Sequence, residues 1–192
     1  TESLILFMSE GGIIKPGYEF MMNETRVGYG FKYTSFVEPA KFEFEKWGSY
    51  DAIALFGQLW FAGYGTLTSS EIGTKSMIEM NQVGQVLLDT DDSYRIVGGV
   101  ALTLKDEYEV YTVDVSNDSV FIMLVRQEEV LDRAVVRSNS TYVYKKDVGD
   151  VDDLPQIALH IGSVFSNDDE HFAIIDGIFQ VSDRLVLPID PG

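Results

Sequence analysis

Apolar and polar residues alternate with period two along most of this chain, and turn-forming residues close each alternating run. In 107–116, Tyr111, Val113 and Val115 fall on one face of an extended strand, with Tyr108, Val110, Thr112 and Asp114 on the other. Residues 120–125 form a short continuous apolar run, the pattern of a strand covered on both sides. Ser116, Asn117, Asp118 and Ser119 between them are turn chemistry, so the unit reads as a hairpin. Strands are expected next at 129–137 and 141–145, separated by Ser138, Asn139 and Ser140. A further pair, 155–165 and 172–181, surrounds the turn Ser166, Asn167, Asp168 and Asp169.

The first half behaves likewise, with strands expected at 4–8, 18–22, 27–37, 41–45 and 52–63. Gly28, Gly30, Gly48 and Gly57 cut these runs, where bulges or bends are expected. Only 74–80 suggests a helical turn, inside a less regular stretch at 66–83. Many short strands with regular turn signals predict an all-β fold. The expected architecture is an antiparallel β-sandwich with one long irregular loop and at most a short helix. Neither half alone offers an obvious closed core, so 1–187 is read as a single sandwich domain. Residues 188–192, with Pro188 and Pro191, then read as a linker to a following domain.

Composition narrows the function. The 192 residues suffice for one well-buried core, and no cysteine is present, which excludes disulfides, thiolate metal sites and Cys nucleophiles. With 14 basic and 31 acidic residues the formal net charge is −17. Such a surface repels nucleic-acid phosphates and anionic lipid headgroups and attracts cations. The most apolar run, 52–62, is far short of the roughly 20 residues a membrane span needs. The chain begins at Thr1 without a signal-like segment, which reads as a mature or excised piece whose signal or anchor lies outside it.

The search for chemistry finds no G-x-S-x-G elbow and no Gly-rich loop followed by Lys that would cradle phosphates. His160 lies in an apolar strand and His171 opens the next one, so a hairpin would bring them together as a sparse transition-metal site. The commoner arrangement is one hydrogen-bonded strand histidine and one exposed loop histidine. Asp147, Asp150, Asp152 and Asp153 crowd one loop, and Asp89, Asp91 and Asp92 another. Ca²⁺ ligation and solvated turn carboxylates are both readings of these loops, and neither has EF-hand spacing. No metal or cofactor is therefore assigned. Trp47, Tyr50, Trp60, Phe61 and Tyr64 would serve either as core residues or as a stacking platform for sugars. Asn23, Asn117 and Asn139 begin three N-x-S/T triplets, the acceptor pattern for N-glycans on a secreted protein.

Several ordered segments carry a family resemblance. They are Phe42-Glu43-Phe44-Glu45-Lys46-Trp47-Gly48-Ser49-Tyr50, Leu55-Phe56-Gly57 and Trp60-Phe61-Ala62-Gly63-Tyr64. Val86-Leu87-Leu88-Asp89-Thr90-Asp91-Asp92 follows, then Tyr142-Val143-Tyr144-Lys145-Lys146-Asp147-Val148-Gly149-Asp150. The last is Ile174-Ile175-Asp176-Gly177-Ile178-Phe179-Gln180-Val181-Ser182-Asp183. In this order the set resembles the S-layer domain of Methanosarcina-type archaea. The resemblance implies an extracellular cell-surface glycoprotein whose β-sandwich domains tile into a porous lattice. It implies copies of the same chain and neighbouring S-layer domains as partners, and membrane contact only through an anchor outside this chain. The expected function is a structural S-layer subunit with an acidic, sieve-like surface. A carbohydrate-binding or adhesive surface module is the alternative, and an acidic β-sandwich hydrolase stands third.

Overall fold

The alternation produces an all-β antiparallel sandwich, and the strands stack in three layers. The computed structural model describes residues 29–184, together with strands at Glu2–Met8, Glu19–Phe20 and Leu187–Pro188. Strands β1 (Glu2–Met8), β2 (Glu19–Phe20) and β3 (Tyr29–Ser35) form a sheet in the order β1-β3-β2. Strands β4 (Val37–Lys41), β5 (Ser49–Leu55), β6 (Gln58–Tyr64) and β7 (Lys75–Ser76) build the first outer layer in chain order. The chain continues through β8 (Gln82–Val83), β9 (Val86–Thr90) and β10 (Tyr94–Val97). The second outer layer is β11 (Ala101–Thr103), β12 (Tyr108–Val115), β13 (Ser119–Arg126) and β14 (Glu129–Arg137). Last come β15 (Ser140–Val148), β16 (Val151–Ser166), β17 (His171–Val181) and β18 (Leu187–Pro188), which pairs with β8. The central layer runs β10-β17-β16-β15, with β9 also on β17.

Both faces of that central sheet are buried. Ile157, Leu159, Ile161, Ala173 and Ile175 pack against Val110, Ile122 and Leu124 of the second outer layer. Leu154, Ala158, Phe179 and Val181 pack against Phe42, Trp47, Tyr50, Phe61 and Tyr64 of the first. Double coverage explains the near-continuous apolar run at 154–161, since a strand with two dry faces has no reason to alternate. The 3₁₀ turn at Ile78–Met80 is the short helix expected within 74–80. Among the described residues no helix is long and apolar enough to cross a membrane.

Several sequence expectations are corrected by backbone geometry. The run 52–63 is a hairpin rather than one strand: Phe56 (φ 51°) and Gly57 (φ 79°) make a two-residue turn with both residues left-handed. The strand expected at 41–45 ends at Lys41, and a 3₁₀ turn at Glu45–Trp47 drives the Trp47 ring inward. Gly48 closes that turn at φ 79°, where any Cβ would stand 2.2 Å from the Leu67 carbonyl oxygen. The run 27–37 is divided at Phe36 between two sheets. In β12 a bulge between Thr112 and Asp114 reverses the alternation, so Tyr108, Val110, Thr112 and Val115 all face inward. The acidic stretch at 147–153 is mostly strand, turned between buried Val148 and Val151 by Gly149 and Asp150. Finally, β14 and β15 belong to different layers, and the chain changes sheets at Asn139 (φ 56°).

Candidate functional site

Four of the five aromatic side chains that sequence offered for chemistry are absorbed by the interface between the first outer layer and the central sheet. Trp47, Tyr50, Phe61 and Tyr64 are core residues, from 0 to 6% exposed, which overturns their reading as an open sugar platform. They surround Phe179, whose ring lies 4.8 Å from Phe42 and 5.1 Å from Tyr50. Trp60 is half-buried against Ile53, Leu55, Ala62 and Val83 on the other face of the first outer layer. The polar ends of the buried rings tie layers together, as buried phenols and indoles generally require. Tyr64 Oη donates to the Pro155 carbonyl at 2.6 Å, and Trp47 Nε1 donates to Thr141 Oγ1 at 3.0 Å.

The two histidines do not meet. His160 is buried, with Nδ1 2.5 Å from Asp176 Oδ1 and its ring 4.5 Å from that of Phe44. His171 is exposed, 2.8 Å from Ser166 Oγ. Ser166 pairs with His171 across the hairpin, six positions along β16 from His160, a separation of roughly 20 Å. No group of three His, Asp or Glu side chains converges among the described residues. In the acidic stretch, Asp147 Oδ1 accepts the Asp153 N–H at 2.8 Å and Asp150 Oδ2 accepts Gln82 Nε2 at 3.1 Å. A shallow groove of about 230 Å³ beside β10 and β11 is lined by Ser93, Tyr94, Arg95, Ile96, Val100, Ala101 and Leu102, with no carboxylate.

Two carboxylates sit in opposite electrostatic settings. Asp89, on β9 beside the aromatic core, accepts the Glu43 backbone N–H at 3.0 Å. Burial pushes its pKa up to about 6; the Glu43 N–H opposes this, and the charges of Glu43 and Asp91 add to it. The same burial, with the negative field of Asp89 and Glu43, pushes the Tyr50 phenol up to about 12. Asp183, at the far interface, accepts 2.6 Å hydrogen bonds from Arg126 and from Lys146. Burial alone would raise its pKa, but the Lys146 and Arg126 hydrogen bonds outweigh that and hold the carboxyl below its ordinary range. Arg126 also donates to the Asp106 carbonyl at 3.1 Å and lies over the Tyr108 ring at 4.6 Å, so this clasp joins the second outer layer to the central sheet. Sequence reasoning missed it because Arg126 and Lys146 look like ordinary surface cations until β13 and β15 are stacked.

The N-x-S/T asparagines fall as follows. Asn117 is exposed in the β12–β13 turn and Asn139 is exposed between β14 and β15. The Ser138 N–H donates to the Asp118 carbonyl at 2.8 Å, so the two turns adjoin at one corner. Asn23 lies outside the described residues.

Three stacked antiparallel layers with apolar interfaces on both sides of the central sheet define a β-sandwich. Comparison with known proteins gives its family. A family model described as "S-layer protein" matches residues 14–191. Major S-layer proteins of three Methanosarcina species are similar, each at 23% identity. The match to that of M. acetivorans covers 94% of this chain and 25% of the relative. For M. mazei the shares are 79% and 23%, and for M. barkeri 94% and 25%. The chain belongs to the S-layer protein family, and it spans about a quarter of the length of these relatives.

Proposed function

We propose that this chain is a structural unit of a cell-surface S-layer, associating with copies of itself and with neighbouring S-layer domains rather than catalysing a reaction. The family match along 14–191 carries the reading, and the doubly covered sheet supplies the rigidity a lattice needs. Residues 1–187 would form the sandwich, with Pro188 still paired to Gln82 through β18, and the residues after it would lead towards a neighbouring domain, in keeping with a match to only a quarter of the relatives. Glycans on Asn23, Asn117 and Asn139 fit an extracellular setting, and the exposure of Asn117 and Asn139 supports the last two. No cofactor is needed. Cations enter this reading through diffuse attraction to the acidic surface.

The −17 charge gives the lattice its selectivity. Acidic side chains lining a pore concentrate cations and repel anions over about one Debye length, roughly 8 Å at physiological salt. Permeation of matched cationic and anionic dyes through reconstituted lattice tests this. The cation should pass faster at low salt and the preference should shrink as salt rises. Equal passage at low salt would remove the acidic sieve from the reading.

A further inference from the structure

Two patches on opposite broad faces of the molecule are complementary. The first lies on the central sheet beyond the cover of the first outer layer. Phe165, which is 50% exposed, stacks on Phe172 with centroids 5.3 Å apart and planes 18° from parallel. The Arg95 guanidinium lies 4.1 Å over Phe172 and pairs with Glu170 at 3.4 Å. The sequence Arg95–Phe172–Phe165 is thus a cation–aromatic stack whose last ring faces solvent. Exposed Asp168 and Asp169 stand in the adjoining turn. Val164 and Ala173, the neighbours of these phenylalanines, pack inward against the second outer layer, so the phenylalanines point away from it.

The second patch is on β14. Ala134 and Val136 pack inward, which turns Arg133, Val135 and Arg137 to the opposite face. Val135 is 69% exposed and lies across from Phe121. Neither arginine side chain has an ion-pair or hydrogen-bond partner among the described residues. In a protein with 31 acidic and 14 basic residues, two exposed guanidinium groups around an apolar residue make the β14 row locally basic, with Asp114 two strands away across Phe121.

We propose that copies of this chain associate head-to-tail, the Arg133–Val135–Arg137 row of one seating on Phe165 and the Asp168–Asp169 turn of the next. A guanidinium over Phe165 continues the existing stack, and the aspartates supply its counter-charge. The open aromatic ring with acids beside it suits a basic partner, and the basic row suits an acidic one; each copy carries both. Because the patches are unlike and lie on opposite faces, the contact is heterologous, so each copy offers a free patch to the next instead of pairing off in twos. This rests on the self-assembly reading above and specifies the faces that carry it.

Light scattering and sedimentation of the chain at low ionic strength test the pairing with two charge-reversed variants, Arg133→Glu/Arg137→Glu and Asp168→Lys/Asp169→Lys. Each alone should need at least about tenfold higher concentration to associate, the loss of about 1.4 kcal/mol. Mixed together they should recover association, since each then meets an opposite patch. Parent-like association by both variants would overturn the pairing and leave self-assembly standing. Impaired variants that fail to recover on mixing would also overturn it. A monomeric parent chain would overturn the pairing and the self-assembly reading together. Unfolding curves confirm that both variants fold; Arg133→Gln/Arg137→Gln is the milder replacement if the reversal does not.

Discussion

The two interfaces of the central sheet are built from different materials. Towards β4–β7 the filling is aromatic: Phe42, Trp47, Tyr50, Phe61, Tyr64 and Phe179 interlock, and the Tyr64 and Trp47 polar atoms each find one partner across the gap. Towards β11–β14 the filling is mostly aliphatic, with the Tyr108 and Tyr142 rings among Val, Ile and Leu, and a charged clasp of Arg126, Asp183 and Lys146 closes one end. Large rings bury much area per residue and need exact complementarity, so a single truncation leaves a large void. Small aliphatic side chains lose less each, and the clasp adds direction where shape gives little. The acids follow the same division. Asp89 is held beside rings and other acids that disfavour its charge, whereas Asp183 is held by two cations that favour it.

The largest effect expected from breaking this contrast is at Phe179, which touches four aromatic rings. Phe179→Ala should cost about 3–5 kcal/mol of unfolding free energy in urea, near the top of the range for core truncations. Leu159→Ala on the other face should cost less, and an equal loss would show that the two fillings are energetically alike.

Next in size is Asp183→Asn, expected to cost about 1–3 kcal/mol at neutral pH by leaving Arg126 and Lys146 without their carboxylate. The depressed pKa of Asp183 fixes the pH dependence: its contribution is full above the ordinary carboxylate range and is lost as pH falls through the folded value. Parent and variant should therefore converge in acid, and a gap that persists there would point to packing rather than charge.

Asp89 sharpens the comparison with the opposite sign. Its folded pKa, about 6, exceeds the unfolded value, so the folded state binds the extra proton and gains stability as pH falls from about 6 towards 4. Asp89→Asn keeps the acceptor for the Glu43 N–H and should raise stability at pH 7 by about 1 kcal/mol, a value discounted for the half-exposed site. The gain should vanish by about pH 4. A destabilised variant at pH 7 would show that the Asp89 charge is used.

Within 107–181 strand existence was legible, because alternation and turn chemistry act locally, whereas the short strands β7, β8, β9 and β11 carried no such expectation. The 108–115 and 119–126 hairpin, the 3₁₀ turn within 74–80 and the long pair β16–β17 all follow from such signals. The ordered segments from Phe42 to Asp183 also resembled the S-layer family that the chain matches. Side-chain roles were less legible. Aromatic residues at 60–64 suit a core, the commoner reading, or a sugar platform, and the contacts of Phe61 and Tyr64 with Phe179 show that these two are core. His160 and His171 flank one hairpin, yet strand register sets them far apart.

The sequence by itself determined an all-β chain, its acidic surface and the absence of thiol chemistry, since these depend on residue type and spacing alone. Tertiary structure decided that the sheets number three deep, that Arg126 and Lys146 share one carboxylate, and that Phe165 and Arg133 face opposite ways. The physical reason is that layer assignment depends on which strands pair across long stretches of chain. A single bulge, such as that between Thr112 and Asp114, reverses which side chains point inward without changing the strand that local pattern predicts.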